Sequence, residues 1–260
     1  MSGTTDGPVI GYEEIFDLRG KLYHQAMQAF PRAREEEFLN VIEHASIKPG
    51  MTIVDVPSGG AYLAPYLPGS NLISLESSHA FAEPAKNSTE SVLTYKDNAF
   101  PLGRQSVDRV LSIAGMHHIA DKQQFFSEVY RILKPDGLLV AADVAEGSPV
   151  RTFLDEFVGK YSDTGHSGWY FGDNTRREIN NSHFEIVQDR LLQYHWRAPD
   201  KQQLVKFCRT LFGMVHADDD ITEEGIGDYL GLKEDANGCR LNWELHCFVC
   251  RPRSKQENAP

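Results

Sequence analysis

The sequence predicts an α/β fold with a seven-stranded, mostly parallel sheet and helices on both of its faces. Short apolar stretches rich in β-branched residues recur along the chain, which is typical of strands buried on both sides. Segments with apolar residues at helical spacing separate them, and this alternation is typical of the strand–helix–strand units of a parallel sheet. The predicted strands are residues 51–56, 71–76, 91–95, 109–113, 138–144, 183–196 and 241–250.

The composition is that of an ordinary globular enzyme. The 260 residues are 41% hydrophobic and 24% charged, and the formal net charge is −11. So acidic a chain lacks the basic face that a nucleic acid needs, and we expect no nucleic-acid partner. No apolar run approaches the ~18 residues of a membrane span, and the N-terminus lacks a basic-then-apolar leader. These features predict a cytoplasmic protein without a membrane partner.

A single domain is expected over residues 11–250. Residues 1–10 are small and polar, which predicts a disordered N-terminus, and residues 251–260 form a C-terminal tail. Two segments exceed what the sheet needs for covering, at about residues 145–172 and 200–232. We interpret both as insertions that form a cap over a pocket.

Helices are predicted from apolar spacing and from residues that begin or end a helix. Pro31 ends the first helix, whereas Ser78 and Asp121 are candidate N-caps. The predicted helices are residues 12–30 and 33–45, one beginning near Tyr62, then about 78–85, 121–133, 150–161, 175–181, 200–212 and 222–230. One face of the first helix carries Tyr12, Arg19, Tyr23 and Met27.

The four cysteines do not suggest a disulfide framework in a chain of this length. Cys247 and Cys250 make one C-x-x-C pair, but a zinc site needs a second ligand pair at suitable spacing. We interpret them as buried thiols beside the last strand and predict no metal site.

A glycine-containing turn follows the first strand. Asp55 stands near the end of that strand, and Pro57-Ser58-Gly59-Gly60 precede Tyr62, where helical spacing resumes. A strand, a glycine turn and a helix N-terminus together present backbone N–H groups to a ligand. The alternative is that the glycines serve only the turn. Glu76 ends the second strand about twenty residues after Asp55, where nucleotide-binding α/β units place the carboxylate that binds ribose hydroxyls.

Three further segments belong with the glycine turn and Glu76: Asp97-Asn98-Ala99, residues 107–113 running into His117-His118, and residues 131–143. In their order and spacing these five motifs resemble the class I S-adenosylmethionine-dependent methyltransferases, small-molecule branch, over roughly residues 35 to 145. The resemblance implies a Rossmann-like sheet, S-adenosyl-L-methionine as cofactor and methyl transfer to a small molecule. The pattern departs at Pro57 and Ala61, where the family has glycines, and proline removes one N–H from the turn.

The resemblance also implies positions for both ligands. The expected cofactor-binding residues are Asp55, Pro57, Ser58, Gly59, Glu76, Ser77, Asp97, Asn98, Ala114 and Tyr23. The expected substrate-binding residues are Tyr12, Trp169, Tyr170 and Asp143. Each aromatic residue has a structural alternative, in which it only packs the cap or the N-terminal helix onto the core.

Histidines are the candidate catalytic residues. A sulfonium methyl is already electrophilic, so orientation of the nucleophile supplies most of the acceleration. An acceptor that keeps its proton near pH 7 also benefits from a base, for which histidine is suited. His117 and His118 follow the fourth strand, beside the expected methyl group, and His166 lies in the cap. A purely structural role for His117 and His118 is the alternative.

Two other functions stay open. An NAD-dependent oxidoreductase is disfavoured because no G-x-G-x-x-G follows the first strand and no Tyr-Lys pair stands out. A cofactor-binding or regulatory protein without transferase activity is kept open by Pro57 and Ala61. The sequence does not identify the substrate, the accepting O, N or C atom, or the oligomeric state.

Overall fold

The computed structural model describes residues 11–86, 91–96 and 98–253. The N-terminus that was expected to be disordered, Asp97 and most of the predicted tail lie outside these residues. Within the described ranges, no helix combines the length and the apolar character needed to cross a membrane.

Helices and strands alternate through the first half of the chain. The α-helices are α1 (Tyr12–Ala29), α2 (Glu35–Glu43), α3 (His79–Ala85), α4 (Lys122–Ile132), α5 (Pro149–Thr152), α6 (Gly159–Tyr161), α7 (Asp173–Asn181), α8 (Lys201–Leu211) and α9 (Asp219–Leu230). The strands are β1 (Thr52–Asp55), β2 (Asn71–Glu76), β3 (Val92–Thr94), β4 (Val107–Ile113), β5 (Leu133–Asp143), β6 (Phe184–Ala198), β7 (Leu232–Asp235) and β8 (Gly238–Pro252). A π-helical stretch, Phe153–Val158, joins α5 to α6.

The strands form one mixed sheet in the order β3-β2-β1-β4-β5-β8-β6, with β7 also paired to β8. Strands β1 to β5 are parallel, and β8 is antiparallel to β5 and β6. The predicted Rossmann-like class is confirmed, and β7 adds an eighth strand. The chain leaves β1 towards β2 on one side and returns to β4 on the other. Open α/β sheets bind ligands at the carboxyl ends of strands beside such a reversal.

Both faces of the sheet are buried. Neighbouring residues of β1 point to opposite faces, so Ile53 joins one apolar cluster and Val54 the other. The first cluster includes apolar residues of α1, α2, α8 and α9, and the second includes those of α4 and α7. Burial on both sides explains why the parallel strands are apolar without alternation.

The helix predicted to begin near Tyr62 is wrong. The residues after Gly59 form turns and one 3-10 helix, Ala64–Tyr66. Gly59 and Ala61 have φ angles of 55° and 58°, in the left-handed region that an α-helix cannot use. Pro65 also lacks the N–H that an α-helical bond requires. The turn therefore offers individual backbone N–H groups, but no helix N-terminus, to a ligand.

Helix α1 covers the carboxyl ends of the parallel strands. It packs against α3 and α8, which come from opposite halves of the sequence. The Tyr12 hydroxyl reaches Glu76 at the end of β2, and the Phe16 ring lies 5.5 Å from the His118 ring. The edge of the sheet beside the strand reversal is thus enclosed by a helical layer.

Candidate functional site

Two adjoining cavities lie under α1. The first, which we call the turn cavity, has a volume of about 60 Å³ and follows the turn after β1. The second, the histidine cavity, has a volume of about 50 Å³ and contains His117, His118 and His166. Both are lined by Phe16, Tyr23, Arg34 and Ala114. Two ligands bound side by side would therefore share a wall.

Glu76 is fully buried beside the turn cavity. Its carboxylate accepts hydrogen bonds from the Tyr12 hydroxyl (3.1 Å), the Gly59 N–H (2.7 Å) and the Ser78 N–H (2.8 Å). Burial raises the pKa of Glu76 to about 7, although these hydrogen bonds oppose the shift. Its oxygens are held by α1, the turn and the segment after β2 together.

Asp55, Pro57, Ser58 and Gly59 all line the turn cavity. Burial, and then the neighbouring Glu76, raise the pKa of Asp55 well above its usual range. The Ser58 hydroxyl is buried and has no hydrogen-bond partner within the described chain. The turn is closely packed, because a Cβ added at Gly115 would lie 2.5 Å from the Pro57 ring. The main chain thus closes tightly around this end of the cavity.

A buried carboxylate holds His117. Asp143 ends β5 and is fully buried. Its oxygens accept hydrogen bonds from the His117 Nδ1–H at 2.6 Å and the His117 N–H at 3.0 Å. Burial would raise the pKa of Asp143, but the charge and hydrogen bonds of His117 lower it. Because an ionised Asp143 can only accept, it holds a His117 proton at Nδ1, and Nε2 is the ring nitrogen left for a ligand.

The other two histidines are uncharged at neutral pH. Burial, followed by the neighbouring histidines, lowers the pKa of His118 well below its usual range. Burial likewise lowers the pKa of His166 to about 4, even though its Nδ1 lies 3.2 Å from the Asp155 carboxylate. The Nδ1 atom of His118 is buried and has no partner within the described residues. The cavity therefore contains imidazoles that can accept or donate a hydrogen bond.

Several residues of the histidine cavity were not among the sequence-based candidates. They come from α1, α2, the π-helical stretch, α8 and its end, and the two long antiparallel strands: Phe16, Arg19, Arg34, Leu154, Leu211, Phe212, Trp196 and Trp243. The indole rings of Trp196 and Trp243 stack with centroids 3.9 Å apart. Arg19 did stand out in the sequence as a charge on the same helical face as Tyr12 and Tyr23. The tryptophans gave no comparable signal, because strand pairing alone brings them together.

The structure brings some of the predicted cofactor and substrate residues to the cavities and leaves others outside. Tyr12 lines the turn cavity, and Tyr23 and Ala114 line both. Tyr170 is buried behind His117, with ring centroids 5.9 Å apart, and its hydroxyl donates to Asp155. Asp143 also lies behind His117, to which it is hydrogen-bonded.

Trp169 is 36% exposed and lines neither cavity, so its role at the substrate stays a prediction. Its N–H donates to the His117 carbonyl at 2.8 Å. Tyr170, the next residue, is buried. Ser77 and Asn98 line neither cavity, and Asn98 has a φ of 53°.

The central part of the chain matches a known family model. Residues 54–141 match the model described as "Methyltransferase domain". Residues 54–141 are thus a methyltransferase domain. The matched range contains the end of β1, the turn, Glu76 and the His117-His118 pair, so the resemblance to the S-adenosylmethionine-dependent methyltransferases noted in the sequence is confirmed.

Relatives of this methyltransferase domain agree with that assignment. A sterol 24-C-methyltransferase of Pneumocystis carinii is 30% identical over 117 residues, which are 41% of this chain and 30% of that protein. The match spans less than half the length of the curated relatives.

Two solved structures share the fold at low identity. Phosphoethanolamine N-methyltransferase 2 of Haemonchus contortus, bound to phosphomonomethylethanolamine and S-adenosylhomocysteine, is 14% identical, with a TM-score of 0.62 over 95% of this chain and 61% of that one. Geranyl diphosphate C-methyltransferase of Streptomyces coelicolor, bound to Mg²⁺, geranyl diphosphate and S-adenosylhomocysteine, is 13% identical, with a TM-score of 0.58 over 89% and 84%.

The cofactor of this family is S-adenosylmethionine, and the residues of the turn cavity fit it. Glu76 is an acid at the end of β2 that two ribose hydroxyls could use as acceptor. The unpartnered Ser58 hydroxyl offers a further hydrogen bond. The rings of Tyr12, Tyr23 and Tyr62 line the same space, and aromatic faces suit a sulfonium cation. Tyr12 would first have to release Glu76.

Proposed function

We propose that this protein transfers a methyl group from S-adenosylmethionine to a small molecule held in the histidine cavity. The observation that carries the proposal is the shared wall of the two cavities, with the His117–Asp143 pair on the far side of it. When bound, the cofactor supplies an electrophilic methyl group. The small-molecule ligands of the two solved neighbours support an acceptor of that size.

In this proposal His117 is the proton acceptor. The acceptor's O–H or N–H would donate to His117 Nε2, which would take the proton while the methyl group passes from the cofactor's sulfur to the acceptor and S-adenosylhomocysteine is left. Asp143 keeps the Nδ1–H in place and stabilises the imidazolium that results. General-base assistance of this kind typically contributes about 100-fold or more to the rate. The apolar walls exclude water from the reacting atoms, and Ala114 sets the separation of the two ligands.

The proposal also assigns the remaining predicted residues. Asp55, Ser58, Gly59 and Glu76 would hold the cofactor. Tyr12 and Tyr23 would cover it from α1. The cytoplasmic location, and roles for Asp97, Asn98 and Ser77 at the cofactor, stay predictions.

Calorimetric titration with S-adenosylhomocysteine, and with NAD as the control, tests the cofactor. Metabolite extracts incubated with methyl-labelled S-adenosylmethionine test transfer. We expect binding of the first compound, no binding of NAD and at least one labelled product. Binding without any labelled product would favour the regulatory alternative, and binding of NAD alone would overturn the proposal.

Asp143→Asn tests the base. This variant should bind S-adenosylhomocysteine normally but turn over about 100-fold more slowly or worse, because the amide no longer fixes the His117 tautomer. Asp121→Asn, at the exposed N-cap of α4, is the matched control and should leave both properties unchanged. Unchanged turnover in Asp143→Asn would remove His117 from catalysis.

A further inference from the structure

Arg19 is a buried charge without a counter-ion. Its side chain projects from α1 into the histidine cavity, and the residue is only 8% exposed. Across the described residues, no carboxylate forms an ion pair with it, and its Nε–H has no hydrogen-bond partner. Burial lowers the pKa of Arg19 to about 10, so the guanidinium is still charged at neutral pH. An unpaired buried charge is unfavourable, and a ligand that brings the opposite charge would remove the cost.

Arg34 shows how the same fold neutralises a buried arginine. It lines the same cavity and is 4% exposed. Its guanidinium forms an ion pair with the fully buried Glu37 and donates to the Tyr23 hydroxyl. Glu37 also accepts the Trp196 indole N–H at 2.7 Å. All three nitrogens of the Arg34 guanidinium thus have hydrogen-bond partners within the protein. The Arg19 Nε–H has none among the described residues and is free to bind a ligand.

Other unsatisfied polar atoms surround the same space. His118 Nδ1 and Trp243 Nε1 are buried without partners in the described chain, and both residues line the histidine cavity. The indole N–H and the guanidinium can only donate. These two donors have no acceptor within the described residues, and an anionic group would supply acceptors to both. Apolar side chains form another part of the cavity surface: Leu154, Leu211, Phe212 and Trp196.

We propose that Arg19 binds an anionic group, carboxylate or phosphate, of the methyl acceptor, whose apolar body lies against Phe212, Trp196 and Trp243. This inference rests on the proposed function in placing the acceptor in the histidine cavity. It adds the substrate class: a small molecule with an apolar, planar part and one anionic group. Guanidinium binds either oxyanion through two parallel hydrogen bonds, which is why arginine suits both.

A metal ion is the competing occupant. One nitrogen from each of His117, His118 and His166 could approach a cation, since these atoms lie within 4.8 Å of one another. Arg19 disfavours this occupant, because its positive charge acts on the rings of both His118 and His166. The same charge that repels a cation attracts an anion, so Arg19 favours an anionic ligand over a metal ion in this cavity.

Binding of simple aromatic probes tests the inference. In a Trp169→Phe background, tryptophan fluorescence reports on Trp196 and Trp243 alone, and S-adenosylhomocysteine is present throughout. Benzoate and phenyl phosphate, added separately, distinguish a carboxylate from a phosphate site, and benzamide is the neutral control. We expect one or both anions to bind at least about tenfold more tightly than benzamide, as expected for hydrogen bonds to a charged group.

Variants assign the preference to Arg19. Arg19→Met should bring the anion and benzamide affinities within about twofold of each other, whereas Arg19→Lys should keep part of the preference. Lys21→Met, at an exposed position of the same helix, removes a cation and should change nothing. Arg19→Met should also melt at a higher temperature than the parent without ligand, because the uncompensated charge is gone.

Each contrary outcome is informative. Equal affinity for benzamide and both anions in the parent, no binding of either anion at millimolar concentration, or a preference that survives Arg19→Met would overturn the inference. Quenching by Zn²⁺ without any anion effect would assign the cavity to a cation. Failure to bind S-adenosylhomocysteine, with the anion preference intact, would instead overturn the proposed function.

Discussion

At the scale of single residues, the site depends on carboxyls whose partners are already inside the protein. Glu76 ends β2 and Asp143 ends β5, at the same carboxyl edge of the sheet, and both are fully buried. The pKa values of the two carboxyls shift in opposite directions because their hydrogen-bond partners differ. Asp143 meets a histidine and stays ionised, whereas Glu76 meets only neutral donors and holds its proton more tightly. Burial alone therefore does not decide the charge of an acid at this edge.

The pH dependence of stability should reveal Glu76. Its folded pKa of about 7 lies above the usual 4.5, so the folded state binds the proton more tightly than the unfolded state. Its contribution to stability is therefore lost as pH rises from about 4.5 to 7. The loss is about 3 kcal/mol by the usual conversion. Glu76→Gln cannot ionise, and its free energy of unfolding should fall less between pH 5 and pH 8 than that of the parent.

Urea unfolding of the ligand-free protein at the two pH values measures this difference. Asp55, whose pKa is also raised, changes the free energy of unfolding with pH in the same direction. The contribution of Glu76 is therefore the difference between the pH slopes of the parent and of the variant. Identical slopes would mean that Glu76 is ionised in the folded protein throughout the range.

At the scale of elements, the sequence predicted the strands well and the cavity walls poorly. Buried parallel strands such as β1 and β2 are encoded locally by apolar runs, and Glu76 is encoded by its position at a strand end. A helix was wrongly predicted after β1 because the apolar residues from Tyr62 to Leu67 have helical spacing. Gly59 and Ala61, however, take left-handed backbone angles. The Trp196–Trp243 stack depends on pairing between strands about forty residues apart, which no local pattern encodes.

The turn after β1 should tolerate almost no added volume. Gly115→Ala places a methyl group 2.5 Å from the Pro57 ring, and overpacking of this kind costs about 1–3 kcal/mol. Gly227→Ala is the matched control, because nothing lies within 4 Å of its added Cβ. In helix α9 that change should stabilise by about 0.5–1 kcal/mol. Thermal unfolding and S-adenosylhomocysteine titration of both variants measure the effects, and equal stability would show that the Pro57–Gly115 contact can relax.

At the scale of the whole molecule, α1 is both a lid and a competitor. It covers the two cavities, but its Tyr12 hydroxyl occupies the carboxylate that a ribose would use. Ligand binding must therefore shift α1 or at least the Tyr12 side chain. The affinity for cofactor includes the free energy of that shift.

Removing the competitor should tighten cofactor binding. Tyr12→Phe keeps the ring but frees one oxygen of Glu76, and a net hydrogen bond is worth about 1 kcal/mol. The affinity for S-adenosylhomocysteine should rise about fivefold in a calorimetric titration. Tyr130→Phe, on α4 at the other face of the sheet, is the control and should bind as the parent does. Weaker binding in Tyr12→Phe would mean that the hydroxyl itself contacts the cofactor.

The layout of the histidine cavity has a consequence for biosynthesis. Its walls include Phe16 from α1 and Trp243 from β8, so synthesis must have passed Trp243 before the pocket can close. The parallel strands come earlier and can pair while Trp243 is still inside the ribosome. Contacts between such distant positions also slow the search for the folded state. During synthesis the nascent chain can thus hold a formed cofactor-binding half while the acceptor half is still open.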